Sequence, residues 1–92
     1  MIKSFRDRAV ERLWMGEFVR RFGGIEKVAL RKLDMLHQAL DLGDLTAPPA
    51  NRLEALSGDR RGQHSICIND QWRICFIWTK EGPENVEIVD YH

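Results

Sequence analysis

The last three residues of the sequence, Asp90, Tyr91 and His92, all carry side chains that can hydrogen-bond or exchange protons. His92 titrates near neutrality and suits either proton role, and Asp90 can orient it or act as a base. The guanidinium of Arg73, in the apolar segment before them, matches the oxygens of a phosphate. Together they could cleave an RNA phosphodiester, which needs a base for the 2′-OH, an acid for the departing 5′ oxygen and a cation for the phosphorane. This chemistry needs neither a metal ion nor a cofactor.

Four further polar residues lie in and just after the polar turn at residues 57–62, and they could bind the same substrate: Arg60, Arg61, Gln63 and His64. Tight turns at residues 69–70 and 80–85 predict that the strands around Arg73 pair as hairpins. We therefore expect Arg73, either His64 or Gln63, either Arg60 or Arg61, and the C-terminal group to gather on one side or rim of a sheet. Ordinary alternatives stay open: a solvated chain end, an Arg73 paired with a strand neighbour, and a merely polar turn.

The composition is that of a globular protein, with 43% hydrophobic and 30% charged residues in 92, which predicts one domain over residues 1–92. The net charge of zero argues weakly against an indiscriminate nucleic-acid binder, although residues 1–33 hold nine basic residues against four acidic ones. No apolar run approaches the roughly 20 residues that span a bilayer, and no secretory segment opens the chain. We expect a cytoplasmic protein without a membrane partner. Cys67 and Cys75 are interpreted as small buried hydrophobes.

The order of hydrophobic patterns predicts helices first and strands second. Residues 1–5 could form an edge strand. Helical spacing extends from Asp7 to the Gly23-Gly24 pair, and a second apolar stripe indicates a helix over 25–42. Alternating or β-rich segments follow at 64–68, 71–78 and 86–91. These elements predict an α+β fold in which two N-terminal helices pack on one face of an antiparallel sheet.

Several segments together resemble a known family of bacterial toxins. The segments are the opening "MIKSF", the pattern L-x-G-x-R-x-G-x-x-S-I-x(5)-W-R-I-x-F from Leu56 to Phe76, and the ending "VEIVDYH". They resemble the HigB group of the RelE/ParE superfamily, the toxins of type II toxin–antitoxin systems. The resemblance implies a curved antiparallel sheet and an endoribonuclease that cleaves mRNA on the ribosome and halts translation. It also implies a HigA-like helix-turn-helix antitoxin, whose complex with the toxin binds operator DNA.

The resemblance assigns functional positions residue by residue. The functional arginine of the family falls on Arg73, its catalytic cluster falls on Asp90, Tyr91 and His92, and its basic turn residue falls on Arg60. Some members have a histidine where this chain has Glu54, and a lysine where it has Ser57. These departures and the zero net charge predict a mild toxin, and His64 could compensate for the missing histidine.

Two other functions stay open at this point. A non-enzymatic inhibitor like the ParE branch would act on gyrase by contact alone, and the Asp-Tyr-His ending argues against it. An attenuated toxin would act mainly by modulating its antitoxin and the operator.

Overall fold

Two helices and a four-stranded sheet form the fold, and the predicted α+β class is confirmed. The structure, a computed structural model, describes residues 1–90; Tyr91 and His92 lie outside the described residues. The regular elements are helices α1 (Arg8–Trp14) and α2 (Glu26–Gln38), followed by strands β1 (Glu54–Ala55), β2 (His64–Cys67), β3 (Trp72–Thr79) and β4 (Gly82–Asp90). Short 3-10 helices occupy the connections at Arg20–Phe22, Leu42–Thr46, Pro49–Asn51 and Gly58–Arg60.

Helix α1 is shorter than its apolar spacing predicts. The Asp7 side chain caps its N-terminus by accepting a hydrogen bond from the Val10 N–H at 3.0 Å. The helix ends after Trp14 because Gly16, two residues on, has φ +93°, a conformation that favours glycine and cannot continue the helix. The prediction that this helix reaches Gly23 is therefore wrong. Phe18, which lies beyond the end of the helix, is 67% exposed.

Helix α2 buries one apolar face against the sheet, including Ala29, Leu33 and Leu36. It ends at Gln38, since the next residue, Ala39, has an extended backbone. The prediction that it continues to residue 42 is wrong, and Leu40, which lies in the predicted range, is 90% exposed. Within residues 1–90, neither helix is long and apolar enough to cross a bilayer.

The sheet is an antiparallel meander with strand order β1-β2-β3-β4. Ile66, Ile74 and Ile88 are opposite one another on adjacent strands and are at most 1% exposed beneath the helices. Burying each such side chain contributes about 1.5–3 kcal/mol, so this row anchors the register. Strand β4 begins at Gly82 instead of the predicted residue 86. It holds one extra residue opposite the 75–77 stretch of β3, where Asn85 adopts φ +51°.

The N-terminal segment covers the outer edge of β4. Phe5 forms a parallel bridge with Val86, the Val86 N–H donates to the Ser4 carbonyl at 3.0 Å, and the Lys3 N–H donates to the Pro83 carbonyl at 2.8 Å. The predicted edge strand is thus reduced to a single bridge, but it pairs the β4 edge that would otherwise face solvent.

Candidate active site

The face of the sheet turned away from the helices carries a row of polar and thiol side chains. Glu54 pairs with Ser65, Ser65 with Cys75, and Cys75 with Glu87, so the row crosses all four strands. Residues opposite each other in antiparallel strands project to the same side of the sheet. Arg73 lies two residues from Cys75 on β3 and therefore on this side as well. We call these residues, Glu54, Ser65, Arg73, Cys75 and Glu87, the polar face.

Arg73 is held in a defined orientation on the polar face. Its Nε donates to Ser65 Oγ at 2.9 Å, and its Nη2 donates to the backbone carbonyl of Arg52 at 3.0 Å. The residue as a whole is only 8% exposed. Because a guanidinium is planar, two hydrogen bonds from different nitrogens fix its plane. A cation oriented before the substrate arrives can stabilise developing charge without reorganising.

A second arginine is fixed beside it by a carboxylate. Arg60 Nη1 donates to Glu87 Oε2 at 3.0 Å and to Gln63 Oε1 at 3.1 Å. Arg6 Nε also lies 3.5 Å from Glu87 Oε2. Glu87 is 8% exposed, so these arginines neutralise a carboxylate that would be costly to bury alone. The arrangement sets two positive groups, Arg6 and Arg60, at the margin of the polar face.

Cys75 fills the centre of the polar face and is fully buried. Burial raises the pKa of its thiol, an effect that the Arg60 guanidinium opposes and the Glu87 carboxylate reinforces. A neutral buried thiol is a poor nucleophile, so Cys75 acts as a small packing group. Cys67 and Cys75 are both free and buried, which confirms their interpretation from the sequence.

Glu54 presents the exposed carboxylate of the polar face. It belongs to the two-residue edge strand β1, and it lines an open cavity of about 340 Å³ together with residues 55–57 and Arg60. Neighbouring Leu53 packs against the hydrophobic core, as strand alternation requires. Glu54 therefore places an ionisable group in the cavity that the fixed Arg60 also lines.

Two of the predicted site residues lie on the opposite side of the sheet. His64 pairs with Phe76, and their rings stack with centroids 6.3 Å apart, towards the helices. Asp90 pairs with Trp72 and accepts a hydrogen bond from Gln71 Nε2 at 3.1 Å. Asp90 therefore does not gather with Arg73 on one side as expected, because strand alternation turns it the other way. Of the alternatives His64 and Gln63, it is His64 that strand alternation likewise turns away from Arg73. Arg61 is exposed in the turn next to Arg60.

Comparison with known proteins identifies the family. Residues 3–92 match the family described as the RelE-like toxin of the type II toxin–antitoxin system HigB. The chain belongs to this family of HigB-like toxins. Toxin HigB-1 of Vibrio cholerae is 36% identical over 80 residues, which cover 85% of this chain and 84% of that protein. An uncharacterized protein of Haemophilus influenzae is 41% identical over 58 residues, which cover 63% of this chain and 55% of that protein.

A solved structure extends the comparison to the fold. The YoeB-YefM complex from Staphylococcus aureus contains a chain that aligns over 100% of this one and 98% of its own length, with a TM-score of 0.62 and 17% sequence identity. At this identity the likeness concerns the fold alone. The HigB-like toxin therefore shares its two-helix, antiparallel-sheet architecture with that protein.

The site of this HigB-like toxin lacks some of the predicted residues and contains others that were not predicted. The structure joins Arg60 to Gln63 at the margin of the polar face that carries Arg73. Tyr91 and His92 lie outside the described residues, and their roles stay predictions. Glu87 and Arg6 were not predicted as site residues. Alternation along the last strand nevertheless places Glu87 on the other face of the sheet from its buried neighbour Ile88. Among residues 1–90, no three His, Cys, Asp or Glu side chains come together as a metal-binding group.

Proposed function

We propose that this toxin is an endoribonuclease that cleaves mRNA on the ribosome and so stops translation in the cytoplasm. The observation that carries the proposal is the orientation of Arg73 by Ser65 and the Arg52 carbonyl, on the same face as the Glu54 carboxylate. A fixed cation and an accessible base on one surface are what in-line cleavage of a phosphodiester needs. The family membership supports the same activity.

In the proposed reaction, a base removes the proton of a ribose 2′-OH and the resulting oxygen attacks the adjacent phosphorus. The bond from phosphorus to the 5′ oxygen breaks, an acid protonates that oxygen, and the products are a 2′,3′-cyclic phosphate and a 5′-hydroxyl. Glu54 is proposed as the base, because its carboxylate is exposed at the open cavity. Arg73 stabilises the charged phosphorane.

The remaining predicted residues take supporting roles in this proposal. His92 is the proposed acid and Tyr91 a base-stacking or hydrogen-bonding residue, both as the family resemblance implies. Asp90, held by Gln71 on the other side of the sheet, is proposed as a positioning residue rather than the base. Arg60, Arg61 and Gln63 are proposed to bind the RNA backbone, since arginine side chains supply the contacts that phosphates favour.

The partner is proposed to be a HigA-like helix-turn-helix antitoxin whose complex with the toxin represses their shared operator. The family description places the toxin in a type II toxin–antitoxin system, which supports an antitoxin as the partner. The Staphylococcus aureus relative in fold was solved as a complex of two proteins, YoeB and YefM. A helix-turn-helix gene beside this one would support the pairing, and co-purification of the two products would test it.

Mapping of mRNA 5′ ends after brief induction tests the proposed activity. Cells expressing the wild type should gain new 5′ ends within coding sequences, and cells expressing Arg73→Ala should not. Arg31→Ala, which removes an exposed arginine of α2, is the matched control and should behave like the wild type. A DNA damage response without new 5′ ends would indicate a gyrase inhibitor instead. If wild type and Arg73→Ala produced the same phenotype, an attenuated regulatory toxin would replace the proposal.

A further inference from the structure

The Arg52 carbonyl that orients Arg73 comes from an unusual backbone position. Arg52 follows the 3-10 helix Pro49–Asn51 with φ +46° and ψ +53°, and its own N–H donates to the Pro49 carbonyl at 3.0 Å. A residue other than glycine is strained in this left-handed region, so the surrounding structure must hold it there. A cavity of about 210 Å³, lined by Ala50, Arg52 and residues 67–70, adjoins this position.

The preceding residue, Asn51, supplies the constraint from the interior. Asn51 is fully buried, and its Nδ2 donates to the backbone carbonyls of Leu45 and Ala47, both at 3.2 Å. One side chain thus satisfies two carbonyls of the irregular segment between α2 and β1. These bonds fix residues 45–51 as a unit that ends at the Arg52 carbonyl.

Lys32 of α2 holds the other end of the same amide. It is 4% exposed, and its ammonium donates to Asn51 Oδ1. Because a carboxamide is planar, a donor to its oxygen determines which way its NH₂ group points, towards the two loop carbonyls. An apolar side chain of similar length would fill this position without the cost of burying an ammonium. Stability alone therefore does not account for a lysine here.

We propose that Lys32 and Asn51 are positioning residues for Arg73. The buried ammonium orients the Asn51 amide, the amide fixes the loop, and the loop presents the Arg52 carbonyl to the guanidinium. The activity part of this inference rests on the proposed function, whereas the orientation part concerns Arg73 itself. The chain of contacts reaches from the middle of α2 to the polar face, so a substitution on the helix-covered side should change the chemistry on the opposite side.

The test compares Lys32→Met with Lys27→Met, which removes an exposed lysine from the same helix. The first readout is the Arg73 Nε–Hε signal in ¹⁵N-labelled full-length toxin, assigned by its absence in Arg73→Lys. We expect Lys32→Met to shift this signal and speed its exchange with water, while Lys27→Met leaves it unchanged. The second readout is mRNA cleavage on purified ribosomes, where Lys32→Met should lower kcat about tenfold or more with little change in KM, since small misplacements of a catalytic group are costly.

An unchanged Arg73 signal in folded Lys32→Met would overturn the inference, as would cleavage equal to that of Lys27→Met. If Lys32→Met does not fold, Asn51→Asp replaces it, because the carboxylate keeps an acceptor for Lys32 but loses both donors to the loop carbonyls. It should then perturb the Arg73 signal in the same way, and a wild-type signal would again overturn the inference. If the wild type itself does not cleave mRNA, the proposed function fails while the signal still decides whether Lys32 and Asn51 orient Arg73.

Discussion

Arg60 and Glu87 stand 27 residues apart in the sequence, yet Arg60 Nη1 lies 3.0 Å from Glu87 Oε2. This ion pair joins the turn before β2 to the last strand, across the two strands that separate them. It also brings Gln63 and Arg6 to the margin of the polar face, since both contact one of the two partners. The pair therefore shapes the surface on which RNA is proposed to bind.

Glu87→Gln should destabilise the toxin, because it removes the negative charge that Arg6 and Arg60 share while keeping the size of the side chain. With the Glu87 side chain only 10% exposed, we expect the free energy of unfolding to fall by about 1–3 kcal/mol. Urea denaturation followed by circular dichroism measures the change. Glu81→Gln, in the exposed turn before β4, should stay within about 0.5 kcal/mol of the wild type. Equal midpoints for the two variants would show that the ion pair contributes nothing.

Glu54→Gln and Asp90→Asn separate the two carboxylates that could act as the base. Because Glu54 lies on the polar face and Asp90 on the other side of the sheet, Glu54→Gln should lower the cleavage rate by about 10²-fold or more. Asp90→Asn should cost less than about tenfold in the same assay, since its effect would be on positioning. Both rates are measured on ribosomes programmed with one defined mRNA. A larger loss of cleavage rate in Asp90→Asn than in Glu54→Gln would indicate that the base is among the C-terminal residues and not Glu54.

The fold was predictable from the sequence as far as local signals reach. The hydrophobic patterns predicted the α+β class and the segments that form β2, β3 and much of β4. The family motifs led to the right class of toxin. The end of α1 was missed because apolar spacing continues past Gly16, and the positive φ of that glycine outweighs the spacing. The apolar spacing shows only which residues could face the core, whereas a helix also requires helical φ and ψ angles at every residue.

The site was predictable only in part, because its residues come from different strands. Alternation within β4 places Asp90 on the same side of the sheet as Val86 and Ile88. Because those two residues belong to the core, Asp90 could be predicted to lie on the side away from Arg73. Pairing between strands was not predictable in the same way. The extra residue near Asn85 shifts the register of β4, and the contact of Arg60 with Glu87 depends on that register.

Stability should depend on pH through Lys32. Burial lowers the pKa of its ammonium below the usual 10.5, the nearby Arg31 lowers it further, and Cys67 opposes the shift. Between the lowered value and 10.5 the unfolded chain binds more protons than the folded one, so the free energy of unfolding should rise with pH across that window. Lys32→Met should lack this rise. Urea denaturation of both proteins at pH 7–10 gives the difference, and parallel curves would contradict a buried, titrating Lys32.

The most direct test of the central claim is single-turnover cleavage of a defined mRNA on purified ribosomes by wild type and Arg73→Lys. Lysine keeps the positive charge but loses the planar fork that Ser65 and the Arg52 carbonyl orient. We expect the cleavage rate to fall by about 10²-fold or more, with products that end in a 2′,3′-cyclic phosphate. Arg31→Lys, on the exposed side of α2, should cleave like the wild type. Undiminished cleavage by folded Arg73→Lys would contradict the claim that an oriented guanidinium on the polar face carries the reaction.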